Sequence, residues 1–481
     1  MKNIILRLIV VVFLIFSGLS VRQVVATTQI DIPGPAVSGH FGERVMVLPN
    51  GNIVVADRSF DAPEAANVGA IYLYNGATGA LISRLTGSTA NDNIGIGGTA
   101  IRVLPNSNFL AANPGWDNGA TVDVGAVVFC NGTTGCSGVV SSANSLIGST
   151  ANDRVGGGEN VEILTNGNYV VRSFRWDNGG TVDAGAATFC NGTTGCMGVV
   201  SATNSLVGSS ANDFVGSAVK VLMNGNYVVS SPSWRNTTGA ATFCNGTTGC
   251  TGVVSATNSL AGVTSGGALG DQGVGGIREL TNGNYVVSSR NLGGTVTWCS
   301  GTTGCTGIVS AANSLTGTES DGGFVTILAN GNYVVQSSNW DNNGVNNAGA
   351  VTFCNGTTGC AGVVSAANSL VGSSEQDFVG AARELTNGNY VVISPSWRNG
   401  ANRNAGAVTF CNGTTGCTGA VSAANSLVGS TAQDQVGRVT ALTNGNYVVS
   451  SEFWNNGTAR VGAVTWCNGT SGCTGVMEAS A

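Results

Sequence analysis

An Asn-Gly-Asn tripeptide that returns every 48 to 60 residues, short strand-like runs on either side of it, and a glycine content too high for stable helices predict an all-β chain. The architecture these imply is a single β-propeller of eight four-stranded blades over residues 27–481. The tripeptide starts at Asn50, Asn166, Asn224, Asn282, Asn330, Asn387 and Asn444, with a variant, Asn-Ser-Asn, at Asn106. Eight units leave no room for a second domain. Seven blades is the next count, and a solenoid is the rival array. Solenoid coils are usually shorter and need parallel pairing, whereas four antiparallel strands in roughly 40–50 residues is the pattern of a propeller blade.

One unit justifies the elements in order. Residues 381–385 and 389–394 are strand-like runs around Asn387-Gly388, a strong hairpin signal because both residues tolerate positive φ. Residues 406–411 are rich in Val, Thr and Phe and give a third strand. Asn412 to Gly416 is turn chemistry, and residues 417–424 are again strand-like. No stretch shows a sustained helical period, so no substantial helix is expected after the N-terminal segment.

The chain opens with Lys2 and Arg7, an apolar run over residues 8–16, and small or modest side chains at 24–26. This predicts a secretory signal peptide over residues 1–26, with no membrane span in the mature chain. The last unit stops soon after Cys473 without the Ala-Asn-Ser-Leu-Val-Gly-Ser stretch of the others. Residues 29–34 stand before Phe41-Gly42 where that stretch would stand. They are therefore expected to complete the outer strand of the eighth blade and close the ring.

Composition excludes several functions. Charged residues are 9% of the chain and its formal charge is -6, so clustered cations for nucleic acid are lacking. The single histidine, His40, rules out His pairs and His-rich metal sites. No nucleophile elbow, phosphate loop or metal box is present, and neither cofactor nor metal is expected.

The 14 cysteines form seven pairs six residues apart: Cys130/Cys136, Cys190/Cys196, Cys244/Cys250, Cys299/Cys305, Cys354/Cys360, Cys411/Cys417 and Cys467/Cys473. Each pair brackets a five-residue turn at the third-to-fourth strand hairpin. Facing positions there lie within disulfide reach, and export favours oxidation. Unit 1 has Tyr74 and Ala80 instead, so the bridge is a staple and not the source of the fold. Six of these turns carry Asn-Gly-Thr, at Asn131, Asn191, Asn245, Asn355, Asn412 and Asn468, and Asn236 and Asn456 add two sequons. Asn-Gly is what such a turn demands anyway.

Phe41-Gly42, the later Val-Gly starts, Ser231-Pro232, Ser394-Pro395 and the run from Gly69 to Gly79 resemble FG-GAP repeats, which build the integrin-α type of propeller. The mature chain also resembles secreted bacterial proteins with NGNYVV…GAVTF/W repeats and no assigned activity. The calcium loop of the FG-GAP family does not carry over. Where it needs several Asp residues, this chain has Leu385-Thr386-Asn387-Gly388-Asn389.

Loops alternate between the two faces of a blade array. The Asn-Gly-Asn and Cys-to-Cys turns make a constant face, and the two-to-three and four-to-one loops make a face of variable length. On the variable face fall Trp116, Trp176, Trp234, Trp340, Trp397 and Trp454, with Phe60 and Leu292 at the same place in units 1 and 5. The four-to-one loops add Asp92, Asp153, Asp213, Asp271, Asp377 and Asp434. Two roles compete. The rings could stack on sugars while the acids accept hydrogen bonds, or each Trp packs between blades and each Asp caps its own loop. The expected function is a secreted or cell-surface interaction and adhesion scaffold without catalysis, with a glycan or surface protein as partner. An extracellular carbohydrate-active hydrolase or lyase using the acids is the alternative.

Overall fold

The computed structural model describes residues 29–95, 101–157, 161–271, 276–289, 293–318 and 323–478. The expected signal peptide and Leu292 lie outside them. The compact body is residues 37–481, and residues 1–36 form a separate unit.

The body is all-β, with eight units that each form one sheet; among the described residues the one α-helical segment is the four-residue turn Trp234–Thr237. Unit 7 shows the plan. Ala381–Glu384 pairs antiparallel with Tyr390–Ser394, which pairs with Ala407–Cys411, which pairs with Ser426–Val428. A fifth strand, Gly475–Val476, then joins Ser426–Val428 in parallel, and it comes from unit 8. Units 1 to 7 are all built this way, so each sheet ends in a two-residue hook lent by the unit that follows.

Two sequence expectations change here. The strand expected at 417–424 is not the fourth strand of its own blade: Gly419–Ala420 crosses to the sheet of unit 6, and Ser426–Val428 takes the fourth place. The second Cys closes its turn, and the chain then reaches the neighbouring sheet before returning. The outer strand expected at residues 29–34 does not form. Residues 29–35 carry no strand, and among the described residues the eighth sheet has three strands, Arg438–Ala441, Tyr447–Ser451 and Ala463–Cys467.

The placement of the cysteines changes with them. All seven expected disulfides are present: Cys130–Cys136, Cys190–Cys196, Cys244–Cys250, Cys299–Cys305, Cys354–Cys360, Cys411–Cys417 and Cys467–Cys473, with Cα atoms 4.7 to 5.3 Å apart. Each pair flanks an antiparallel bridge, so its two Cys face each other as the hairpin reading expected, but only one of them belongs to a strand. The first Cys of each pair ends the third strand, but Cys136, Cys196, Cys250, Cys305, Cys360, Cys417 and Cys473 lie in no strand. The turn itself closes one residue earlier, by a bridge such as Asn131 to Gly135 or Asn412 to Gly416. Each disulfide therefore pins the start of the crossing segment to the third strand.

The hairpin turn differs from the expected form too. The Leu385 N–H donates to the Asn389 carbonyl at 2.7 Å, and the Gly388 N–H to the Leu385 carbonyl at 3.0 Å. Gly388 has φ +83°, whereas Asn387 is absent from the positive-φ residues. This is a three-residue loop, a turn followed by one left-handed residue, rather than a two-residue turn with both residues left-handed. Unit 2 forms it with Ser107 at φ 74°.

Apolar faces of successive sheets pack on each other. Leu328, Val334, Val351 and Leu370 of unit 6 form one cluster with Tyr390, Val392, Trp397 and Ala407 of unit 7. In units 1 to 7 the second strand has an almost wholly buried Val-Val pair or its equivalent, because both sheet faces are covered, whereas in unit 8 Val449 is buried and Val448 only half-buried. The turn glycine of the Cys loop allows this approach: a Cβ on Gly416 would collide with the Phe353 ring of unit 6.

Candidate functional site

On the constant face the Asn-Gly-Asn motif does more than turn the chain. Asn387 and Asn389 both donate their side-chain amides to the Gly469 carbonyl in the Cys loop of unit 8, at 2.6 and 2.9 Å. Asn389 Oδ1 accepts the Gly413 N–H of its own unit at 2.9 Å. The paired amide bonds recur from unit 1 to unit 2, where Asn50 and Asn52 donate to Gly132, and at the five couplings between. Turn propensity alone masked this role. The second Asn of each tripeptide, which the turn does not require, was the available signal.

The cysteines serve the same joint and form no reactive site; none is a free thiol. Cys130, Cys190, Cys244, Cys299, Cys354, Cys411 and Cys467 are buried, and their partners Cys136, Cys196, Cys250, Cys305, Cys360, Cys417 and Cys473 are half-buried. The phenols of Tyr169, Tyr227, Tyr333 and Tyr390 lie 3.6 to 4.0 Å from the sulfurs of Cys196, Cys250, Cys360 and Cys417. Cys136 and Cys305 pack on the apolar clusters of units 1–2 and 4–5. The half-exposed sulfurs are thus the outer wall of the inter-sheet core.

The variable face uses acids for the same purpose. Asp377 is buried; one carboxylate oxygen accepts the backbone N–H of Ser373 and Ser374, at 2.9 and 2.8 Å, and the other accepts that of Arg398 in the next unit at 3.0 Å. Asp213 does the same with Ser209, Ser210 and Arg235. Asp153 binds Ser149, Thr150 and Asp177, and Asp434 binds Ser430, Thr431 and Asn455. Asp92 follows the pattern with Ser88, Thr89 and Asp117. Burial pushes the Asp377 carboxyl above its ordinary range, against the lowering effect of the three backbone donors. Asp271 is half-buried, and its own N–H donates to the Ala268 carbonyl at 3.0 Å.

The tryptophans lie behind these loops. Trp116, Trp176, Trp234, Trp397 and Trp454 are buried, and Trp340 is half-buried. Trp116, Trp176 and Trp454 donate their indole N–H to Ser88, Ser149 and Ser430 of the loop that carries the preceding Asp, at 2.9 to 3.1 Å. Phe60 occupies the place in unit 1, edge-on to Tyr72 with Arg84 over its face. Of the two roles weighed for the Trp and Asp residues, this geometry is that of interior packing and loop capping. Five of the six rings offer no open face for stacking. No group of three or more His, Cys, Asp or Glu residues that could hold a metal ion occurs among the described residues.

What the surface does present was not visible in the sequence. The hook strands lie at the edge of the first seven sheets. On them Val139, Val199, Val253, Ile308, Val363 and Val476 are all exposed, one each from units 2 to 6 and unit 8. At the tips of the two-to-three loops, Val122 and Val182 are exposed as well. No helix of the described residues is long and apolar enough to cross a membrane.

A repeat of unknown function (DUF5650) matches residues 47–96, 103–157, 163–217, 221–271, 279–324, 327–381, 384–438 and 441–481, and the chain belongs to that family. Each of the eight segments begins at the last residue of the first strand of one of the eight sheets. No curated protein matches the chain. Among solved structures, dihydro-heme d1 dehydrogenase NirN in complex with DHE is 12% identical with a TM-score of 0.26; the match covers 78% of this chain and 64% of that one. A streptogramin B lyase structure is 10% identical, also with a TM-score of 0.26, over 76% of this chain and 92% of its own. At that level of likeness the fold assignment stands on the chain's own sheets.

Proposed function

We propose that this protein is an exported, disulfide-stapled scaffold that works by adhesion or interaction rather than by catalysis. The observation that carries the reading is where its chemistry goes. Five of the six acids that could serve a hydrolase, Asp92, Asp153, Asp213, Asp377 and Asp434, are buried with their oxygens committed to backbone N–H groups, so neither a free general acid nor a free base is left at those five positions. The repeated exposed feature is instead an apolar side chain at the sheet edges, a multivalent surface of weak contacts. Seven disulfides suit an oxidising compartment, in keeping with the signal-peptide-like N-terminus. The FG-GAP resemblance adds a propeller family in which extracellular recognition is familiar, without its calcium loops.

The test is a panel of immobilised glycans and surface proteins, scored for both retention and product release. Retention without turnover, weakened when the edge residues Val253, Ile308 and Val363 are changed together to Thr, is expected. Release of cleaved saccharide would overturn the reading in favour of the hydrolase or lyase.

A further inference from the structure

The first and last units carry faces that every other unit has covered. Val464, on the third strand of unit 8, is 73% exposed, whereas its counterpart Val408 in unit 7 is 0% exposed. Trp466 is 56% exposed, while its counterpart Phe410 packs into the next cluster. At the other end Val45 is 55% exposed, although the equivalent Val161 of unit 3 is 2% exposed against unit 2. The couplings stop at the same place: Asn387 and Asn389 reach Gly469, but the side-chain amides of Asn444 and Asn446 meet no such carbonyl among the described residues.

The two ends are complementary. The turn Asn75 to Gly79 of unit 1 keeps the form that receives such amides in the other units. Its Gly79 N–H donates to the Asn75 carbonyl at 2.8 Å, as the Gly472 N–H does to Asn468. Among the described residues unit 8 has no fourth strand, and a groove of about 560 Å³ lies along its third strand, lined by Leu427, Trp454, Val461, Val464 and Met477 among others. The chain in front of unit 1 fits that gap: from Ile32 to Phe41 is the same number of residues as from Leu206 to Val215. Pro33 then falls where Val207 stands. The Val207 carbonyl accepts from Val254 of the hook, so the N–H on that side of the strand also faces the hook. Unit 1 runs from Ala80 directly into Leu81–Thr86 and has no hook, so a proline there forfeits no hydrogen bond.

We propose that a second copy of this chain covers these faces, head to tail. Unit 1 of one molecule docks on unit 8 of another, burying Val464 and Trp466 against Val45, and its residues 30–33 add the missing fourth strand. Asn444 donates to the Gly76 carbonyl of the incoming copy. The contact repeats seven that already exist within the chain, and it is heterologous, so it leaves a free end of each kind and propagates.

Light scattering and sedimentation of the mature protein test this directly. The wild type should rise above the single-chain mass as concentration rises. V45E and V464E, both at exposed positions, should each remain at the single-chain mass with unchanged circular dichroism. Mixing the two should restore a twofold species, because each variant keeps one intact face. Three results would overturn the proposal. The first is a wild type at single-chain mass at every concentration, including one whose Trp466 is shielded from quenchers because the chain has closed on itself. The second is self-association of V45E alone, which would mean that unit 8 pairs with unit 8. The third is a mixture that stays monomeric.

Discussion

The two faces of the array reach one end by different chemistry. On the constant face, neutral amides of one unit bond a carbonyl of the next, and a disulfide holds the receiving loop. On the variable face, a buried carboxylate of one loop bonds the backbone N–H of the following unit. Amides can be wetted at small cost, but a buried carboxylate left without donors cannot, and donors left without the carboxylate are stranded. The face whose loops vary in length is thus anchored by the less forgiving bond.

The largest expected effect follows from that asymmetry. Asp377→Ala strands the N–H groups of Ser373, Ser374 and Arg398 and should destabilise the unit 6–7 junction by about 3 kcal/mol. Hydrogen exchange of those three amides reads it; protection equal to wild type would show that the carboxylate is dispensable. Next is removal of one staple. Replacing Cys411 and Cys417 together by Ala should cost about 2 kcal/mol, the loop-entropy value for so short a ring, and leave the sheets intact, as unit 1 already manages without a bridge. Loss of β-sheet circular dichroism would contradict that. Asn389→Ala removes one donor and one acceptor at a half-buried site and should cost about 1–1.5 kcal/mol in a denaturant titration, less than the acid. An equal cost would erase the contrast between the faces.

The smallest effect at neutral pH is expected from the buried tyrosines under the Cys loops. Burial pushes the Tyr447 phenol up to about 12 and Tyr390 further. The folded state therefore holds its phenolic protons where the unfolded chain, at about 10, has released them. Their contribution is whole below about pH 10 and is lost as pH rises from about 10 through 12. Tyr447→Phe should leave the melting temperature at neutral pH little changed and flatten its fall in alkali; an unchanged alkaline slope would assign the fall to other groups.

Much of this was legible in the sequence because it is local. The spacing of the tripeptides counts the sheets, and a six-residue Cys separation around a turn sets the disulfides. What could not be read is long-range. Gly419–Ala420 and Ser426–Val428 are both short and apolar, and nothing in them states that one belongs to the sheet behind. For the same reason the pairing of Cys411 with Cys417 could be read, but not that Cys417 stands outside any strand. The Trp and Asp residues looked like a face because each recurs once per loop; that recurrence is equally the mark of an interior joint, and burial alone decides. Asn387-Gly388 suggested a two-residue turn, but the bond from Leu385 to Asn389 makes the loop one residue longer.

The hooks also bear on how such a gene can change. Because a unit lends its hook backward and borrows one from ahead, a stretch excised or duplicated from one Cys loop to the next carries one donor and one acceptor with it. Unequal recombination between copies would therefore yield longer or shorter arrays whose every junction is already satisfied. Substitutions confined to the two-to-three loops could meanwhile diversify without disturbing the joints that hold the series together.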